Sequence, residues 1–380
     1  MTPFSDLPFF LIFLPLMLVS VVCGLRGRAL RVPGMLVTAA MLLLIYDTPA
    51  RLLTLLAFWA WQSAVIFGYL RLRRRCAAHG LLFAALALSL APLLAVKLAV
   101  YIAALRVLSL LGISYMSFRA VQLLVEIYDG HLTALNFCDV SYFLLFFPSI
   151  ASGPLDRFQR FSGDLAKRRS AEEYRPLLRQ GIWLLLTGAV YNFVLSALIW
   201  QYVCARLPEQ GFWATLGYMY GYTFFMFFNF AGYSRMAVGT AYLLGIAQPD
   251  NFDRPFLSLD MKDFWSRWHI SLSTFLRDYV YTRFCMAALR GKWFRGRRTC
   301  SYLGYFLTML LMGMWHGLTV QYLIYGLYHG LLMAGNEVLD TRVKRFKALK
   351  RRPGAAWPLR LVTFHLFSFG LLIFSGRLFA

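Results

Sequence analysis

Two motifs decide the fold of this chain, Phe264-Trp265-Ser266-Arg267-Trp268-His269 and Gly313-Met314-Trp315-His316-Gly317. They lie in its most polar long stretch, which runs from Asp263 to His316 through otherwise apolar sequence. Each motif contains a histidine directly after a tryptophan, and the chain has six histidines in all. The surrounding sequence therefore predicts a scaffold that holds His269 and His316 within a membrane.

The composition is that of an integral membrane protein. Of the 380 residues, 59% are hydrophobic and 15% are charged, whereas a soluble domain carries about 25% charged residues. The six cysteines are scattered without metal-binding spacing, which predicts small buried side chains. We expect no bound metal and no bound cofactor.

The net charge of +22 comes from basic clusters that separate the apolar runs. This arrangement is typical of cytoplasmic loops, so it argues for membrane topology and against a nucleic-acid partner. A basic cytoplasmic face would also attract acidic membrane lipids or an acidic protein. Five clusters set the topology: Arg26–Arg31, Arg71–Arg75, Arg157–Arg179, Arg254–Arg298 and Arg342–Arg360.

Placing all five clusters in the cytoplasm predicts a multi-pass protein of the cell membrane with both termini outside. We expect one all-α membrane domain over residues 1–380, with several short, tilted or re-entrant helices. The polar segment from Ser117 to Asp139 is too charged to face lipid, because charges at membrane depth must be buried in protein or line a watery cavity.

The apolar run Leu303–Leu332 must form a hairpin between two basic loops. Its 30 residues fall short of the ~40 that two full spans need. The turn with His316 is therefore predicted to lie below the far membrane surface. A histidine at such a depth indicates function, although a structural ring satisfied by a neighbouring helix is the alternative.

The segment from Asp263 to Tyr281 repeats apolar residues at helical spacing, which predicts one helix along the cytoplasmic interface. His269 would share its apolar side with Trp265 and Leu272 and point inward. Taken alone, this pattern suits a structural and a functional histidine equally well.

An apolar patch with a basic rim follows that segment. Met286 and Leu289 supply the apolar part, and Arg290 and Lys292 belong to the rim. Such a surface suits an acidic partner that carries a hydrophobic helix. An ordinary interfacial helix end is the alternative.

The motifs fit no metal site, no GxSxG nucleophile and no phosphate-binding loop. A histidine acting as general base remains, and it suits transfer of an activated acyl group to a hydroxyl. Spacing alone does not establish acyl transfer. A transporter or channel fits the buried charges equally well.

The two opening motifs resemble the signatures of the membrane-bound O-acyltransferase (MBOAT) family, whose core would cover residues from about 100 to 340. The match is strongest to its D-alanyl-transfer branch. Supporting segments are Leu111-Gly112-Ile113-Ser114-Tyr115, Phe147-Pro148-Ser149, Ser152-Gly153-Pro154-Leu155-Asp156-Arg157 and Phe230-Ala231-Gly232-Tyr233-Ser234. The polysaccharide O-acetyltransferase branch usually has an aspartate where this chain has Arg235.

The resemblance implies a bundle of helices around a central channel, with His316 as the catalytic residue and His269, less firmly, as a second. Candidates for lining the channel are Trp315, Trp268, Ser273, Arg277 and Asp278. The donor would be D-alanine held as a thioester on the phosphopantetheine of a small acidic carrier protein. The acceptor would be a hydroxyl of an envelope polymer such as lipoteichoic acid.

A small membrane peptide or a secreted transferase would be a further partner, as is common in this branch. The alternative within the same family is O-acetylation of an exported polysaccharide, of the alginate-acetylation type. The alternative outside enzymes remains a transporter.

Overall fold

The computed structural model describes residues 3–76, 78–102 and 110–379. In these residues the chain is helical apart from its loops and one isolated antiparallel bridge between Phe252 and Trp268. This confirms the predicted all-α class. Residues 103–109, at the start of the predicted family core, lie outside the described residues.

In the described residues, ten α-helices precede the first motif. They are α1 (Leu7–Leu25), α2 (Arg31–Ile45), α3 (Pro49–Arg75), α4 (His79–Leu98), α5 (Ile113–Tyr128), α6 (Phe137–Leu145), α7 (Phe158–Ala166), α8 (Ala171–Ala189), α9 (Ala197–Tyr202) and α10 (Phe212–Leu243). A π-helical segment, Val190–Ser196, joins α8 to α9. Several of these helices begin with a side-chain cap. At the start of α1, for example, the Asp6 side chain accepts a hydrogen bond of 2.9 Å from the Phe9 amide.

Seven α-helices follow from the first motif onward. They are α11 (Met261–Arg267), α12 (Ile270–Leu276), α13 (Thr282–Arg290), α14 (Arg297–His316), α15 (Val320–Arg342), α16 (Lys344–Lys350) and α17 (Ala356–Phe374). A π-helical segment, Arg277–Tyr281, connects α12 to α13.

Five described segments are long and apolar enough to cross a membrane. They are Leu7–Leu25, Pro49–Arg75, His79–Leu98, Ala171–Arg206 and Ala356–Phe374. With 15 residues, α2 is shorter than the ~20 that a perpendicular span needs. The multi-pass character predicted from the apolar runs is confirmed.

The contacts within the chain divide it into two compact units. The first unit contains the described residues up to Ala189 together with Tyr233–Pro249, and the second contains Val190–Gly232 and the described residues from Asp250 onward. The prediction of one membrane domain over the whole chain stays a prediction.

In the first unit, the polar residues of α5 after Ser117 are buried within protein, as expected, whereas Asp129 and His131 beyond the helix are exposed. Arg119 is 2% exposed, and its guanidinium donates to the carbonyls of Phe143 and Leu144, both at 2.9 Å. It also donates to the carbonyl and the hydroxyl of Ser149, at 2.6 and 2.7 Å. These bonds hold the Phe147–Ser149 turn, which Pro148 keeps from continuing the preceding helix.

The hairpin prediction was wrong about length. Helix α14 has 20 residues and α15 has 23, so they are about 30 and 35 Å long at 1.5 Å per residue. Both helices continue into the charged sequence that flanks the apolar run, α14 from Arg297 and α15 to Arg342. At the end of α15, Glu337 and Asp340 pair with lysines, Lys262 at 2.6 Å and Lys350 at 2.5 Å. Paired charges can extend a helix beyond its apolar part.

Candidate functional site

The predicted single helix from Asp263 to Tyr281 is interrupted at His269. Backbone pairing with the upstream segment 251–253 causes the break: the Asp253 amide donates to the Arg267 carbonyl, and the Ile270 amide donates to the Asn251 carbonyl, both at 3.0 Å. His269 itself adopts the left-handed conformation, with φ 47° and ψ 50°. Few residues other than glycine do so, and histidine is among the more frequent of them.

This turn directs the His269 side chain into the second unit, where it is 4% exposed. Its ring lies 4.6 Å from the Phe230 ring and 6.3 Å from the Trp315 ring, measured between centroids. Among the described residues its Nδ1 atom has no hydrogen-bond partner. Burial, with a smaller effect from His316, lowers the pKa of His269 to about 3. The imidazole is therefore neutral at physiological pH.

A close crossing of α14 and α15 positions His316. A Cβ atom on Gly313 would lie 2.5 Å from the Tyr322 carbonyl oxygen, and one on Gly326 would lie 2.9 Å from the Met309 carbonyl oxygen. Only glycine permits this approach, in the way that small residues allow membrane helices to pack closely. The crossing holds the end of α14 against the start of α15.

His316 is the last residue of α14 and is half-buried in an aromatic box. Its ring lies 4.5 Å from Trp315, 5.0 Å from Phe374 and 6.0 Å from Tyr325, between centroids. The Trp315 ring contacts both the His316 ring and the His269 ring, at 4.5 and 6.3 Å between centroids. The structure thus brings the two predicted histidines together around one tryptophan.

A third histidine, which the sequence reasoning did not select, belongs to the same region. His329 is 0% exposed and packs against Trp265 and Tyr325 at 5.2 and 4.6 Å. Neither of its ring nitrogens has a hydrogen-bond partner among the described residues. Gly370 faces the ring so closely that a Cβ there would collide with it. The available signal was Tyr328-His329-Gly330, which repeats the aromatic-His-Gly pattern of Trp315-His316-Gly317.

A cavity of about 310 Å³ lies next to Trp265, and none of the three histidines is among the residues that line it. Ser273 and Arg277, two of the predicted channel residues, line it, as does Trp265. On α14 its lining includes Thr308 and Met312, the latter about one turn before His316. The wall is mostly apolar with a few hydroxyl groups, as in many small-molecule sites.

The other predicted channel residues lie elsewhere. Trp268 is buried among Phe252, Phe264 and Phe367, with ring centroids 4.7 to 5.7 Å away, and does not line the cavity. Asp278 accepts a hydrogen bond of 2.8 Å from Arg277. Trp315 touches both histidines but not the cavity.

The predicted docking patch is on the surface of α13 and the residues that follow it. Met286 and Leu289 are 43% and 41% exposed, and Arg290 and Lys292 are exposed beside them. Trp293, at 58% exposed, adds an apolar residue that the sequence reasoning did not include. No group of three or more potential metal-ligating side chains occurs in the part of the chain that the structure describes.

A sequence model of the membrane-bound O-acyltransferase family matches residues 78–375. The chain belongs to this family. It is therefore an acyltransferase of the MBOAT type, and the family resemblance that the motifs predicted is confirmed.

Named relatives agree with that assignment. The teichoic acid D-alanyltransferase of Bacillus subtilis is 40% identical over 394 aligned positions, covering 100% of this chain and 99% of that protein. The protein of the same name from Streptococcus thermophilus is 36% identical over 98% of this chain and 94% of its own length. The probable alginate O-acetylase AlgI of Pseudomonas aeruginosa is 33% identical over 70% of this chain and 49% of its own length. The likeness to the D-alanyl-transfer branch of the MBOAT family is confirmed as well.

Proposed function

We propose that this protein transfers D-alanine to a hydroxyl of an envelope polymer of the teichoic acid type. The observation that carries the proposal is the similarity to teichoic acid D-alanyltransferases over 100% and 98% of the chain. The AlgI-type relative matches over a smaller part of the chain, which favours D-alanyl transfer over acetyl transfer. The family assignment to acyltransferases argues against a transporter without enzymatic activity.

In the proposed reaction, His316 is the general base. As a neutral imidazole it removes the proton of the acceptor hydroxyl while that oxygen attacks the carbonyl carbon of the D-alanyl thioester. The carbon–sulfur bond then breaks, the new ester forms and the proton passes to the thiolate. The half-buried position of His316 supports this role, because the ring is sheltered and yet accessible to a substrate.

The donor is proposed to be a D-alanyl thioester on the phosphopantetheine of a small acidic carrier protein, so that the chain itself binds no cofactor. The exposed patch at Met286 and Leu289 is the proposed docking site, with Arg290 and Lys292 attracting the acidic carrier. This patch precedes the start of α14, and His316 is at its end. The cavity lined by Thr308 and Met312 lies along the helix between them and would hold the extended arm.

His269 is proposed to act on His316 through Trp315, which contacts both rings. The basic clusters support an orientation with the docking patch in the cytoplasm and both termini outside the cell membrane. A small membrane peptide or a secreted transferase would then complete transfer to the polymer.

The function is tested in a Bacillus subtilis strain that lacks its own teichoic acid D-alanyltransferase. Expression of this chain is expected to restore ester-linked D-alanine, which mild base releases from the envelope. Restoration of acetyl esters instead would support the alginate type of reaction. If neither ester appears although the protein is present in the membrane, both the D-alanyl-transfer and the acetyl-transfer reactions are contradicted.

The docking site is tested in the same strain with Arg290→Glu and Lys292→Glu combined. We expect weaker co-purification of the carrier and fewer esters, most clearly at low ionic strength. The matched control is Arg71→Glu with Arg75→Glu, which makes the same charge change at exposed positions of α3. Equal carrier binding by both double variants would count against this patch.

A further inference from the structure

An apolar groove of about 480 Å³ lies between α15, α16 and α17, away from the histidines. Its wall includes Leu339 from α15, Phe346 from α16 and Val362 from α17. Its rim is open and apolar, since Leu331 is 65% exposed and Val362 is 57% exposed. An uncovered apolar groove of this kind on a membrane protein suits a hydrocarbon chain.

The groove continues toward a basic segment. A neighbouring recess shares Leu359 and Val362 with it and has Arg352 in its wall. Arg352 is the last residue of the segment Lys344–Arg352, which contains six cationic residues and no acidic residue. The apolar groove therefore leads to a site of high positive charge.

Most of that charge is not neutralised by the protein. Lys350 is the exception, since it pairs with Asp260 at 2.6 Å and with Asp340 at 2.5 Å. These ion pairs attach α16 to α15 and to the residue before α11. In the part of the chain that the structure describes, the other five side chains have no ion pair or hydrogen bond: Lys344, Arg345, Lys347, Arg351 and Arg352.

We propose that this groove binds an anionic phospholipid, with one acyl chain between the helices and the headgroup phosphate at Arg352. Arg351 and Lys347 lie close in sequence to supply further positive charge. The occupant follows from two complementary features, because an apolar groove selects hydrocarbon and a cluster of unneutralised cations selects a negative headgroup. Arginine also offers paired donors that match phosphate geometry. The proposal does not depend on the acyl group that the enzyme transfers.

Gly335 allows the groove to be filled without loss of a contact. It lines the groove, and a Cβ atom there would meet no heavy atom within 4 Å. Gly335→Leu is expected to occupy the space of the acyl chain, and it also improves the helix propensity of α15. Gly335→Ala is the matched control, because it improves helix propensity and leaves most of the groove open.

The measurement is native mass spectrometry of the full-length protein in detergent, titrated with phosphatidylglycerol and with phosphatidylcholine. Wild type and Gly335→Ala are expected to retain phosphatidylglycerol in preference to phosphatidylcholine, and Gly335→Leu is expected to lose that preference. Equal binding of phosphatidylglycerol by Gly335→Leu and wild type would overturn the proposal. Equal retention of both lipids by wild type would overturn it too.

The headgroup site is tested by combining Lys347→Gln, Arg351→Gln and Arg352→Gln. Each removed charge is expected to weaken phosphatidylglycerol binding about fivefold. The control combines Arg71→Gln, Arg75→Gln and Arg295→Gln, which lowers the net charge equally at other exposed positions. A control that lost as much binding as the test variant would show a general charge effect and contradict a site at Arg352.

Discussion

Two completely buried polar side chains, Arg119 in the first unit and His329 in the second, differ in their hydrogen bonding. In the first unit, the Arg119 guanidinium makes four hydrogen bonds to Phe143, Leu144 and Ser149. In the second unit, His329 is buried just as completely, and neither of its ring nitrogens has a partner among the described residues. The buried Arg119 side chain is therefore hydrogen-bonded, whereas the buried His329 ring, within the described part of the chain, is not.

The difference separates structural polar groups from functional ones. A buried polar atom left without a partner costs about 1–3 kcal/mol, so a protein tolerates such atoms where they serve another purpose. Arg119 satisfies carbonyls that a turn exposes, which is a structural role. The imidazoles of His269 and His329, by contrast, have buried ring nitrogens without a partner among the described residues, next to the predicted catalytic His316.

Arg119→Leu should therefore have the largest effect on folding. It removes the donors of three backbone carbonyls and one hydroxyl, and each unsatisfied buried acceptor costs about 1–3 kcal/mol. The sum is comparable with the whole stability of a domain. Thermal unfolding of the purified protein in detergent checks this. An unfolding temperature equal to that of wild type would contradict the structural role of Arg119.

His269→Asn should affect catalysis more than folding. Asparagine tolerates the left-handed conformation at this position, so the turn is expected to persist. Loss of the imidazole beside Trp315 should displace His316 and slow D-alanyl transfer by up to about 10²-fold. The control is His131→Asn at an exposed position of the first unit. Equal transfer rates for the two variants would assign His269 to structure alone.

Asp164 gives the first unit a stability that depends on pH. Burial alone would raise the pKa of this carboxyl, but the Ala247 amide and the charges of Lys167 and Arg169 outweigh burial, so the pKa lies below its ordinary value. The stabilisation is therefore present at neutral pH and is lost as the pH falls through the folded-state pKa. We expect Asp164→Asn to lower the unfolding temperature at pH 7 and to differ less from wild type near pH 3. A gap that widened on acidification would contradict this.

His329→Phe should have the smallest effect on stability. Phenylalanine keeps an aromatic ring at this position and removes two buried nitrogens that have no partner among the described residues, a change that can be neutral or stabilising. We expect an unfolding temperature equal to or above that of wild type. A drop as large as that of Arg119→Leu would mean that His329 is structural after all.

The sequence predicted those features that depend on local pattern. The apolar composition predicted a multi-pass membrane protein, and the charges after Ser117 indicated that α5 is buried. The break at His269 was missed because its cause is Asn251, eighteen positions earlier, which pairs with the backbone at Ile270. Such pairing between distant segments leaves no trace in helical periodicity.

The length of α14 and α15 was missed for a related reason. Charged residues mark the end of an apolar run, but Glu337 and Asp340 are neutralised by lysines from other helices. His329 was missed because it lies in the middle of an apolar helix with no charge beside it. Both motif histidines were selected from the sequence, but only the structure shows that both contact the Trp315 ring.

The central claim is that His316 acts in the reaction and not in the fold. The most direct measurement is the rate of D-alanyl transfer from a loaded carrier, per folded molecule, for wild type and His316→Ala in the same membrane preparation. We predict a fall of about 10²–10⁴-fold with an unchanged unfolding temperature. Transfer by His316→Ala at the wild-type rate would contradict the claim, and so would a loss of transfer that is fully explained by unfolding.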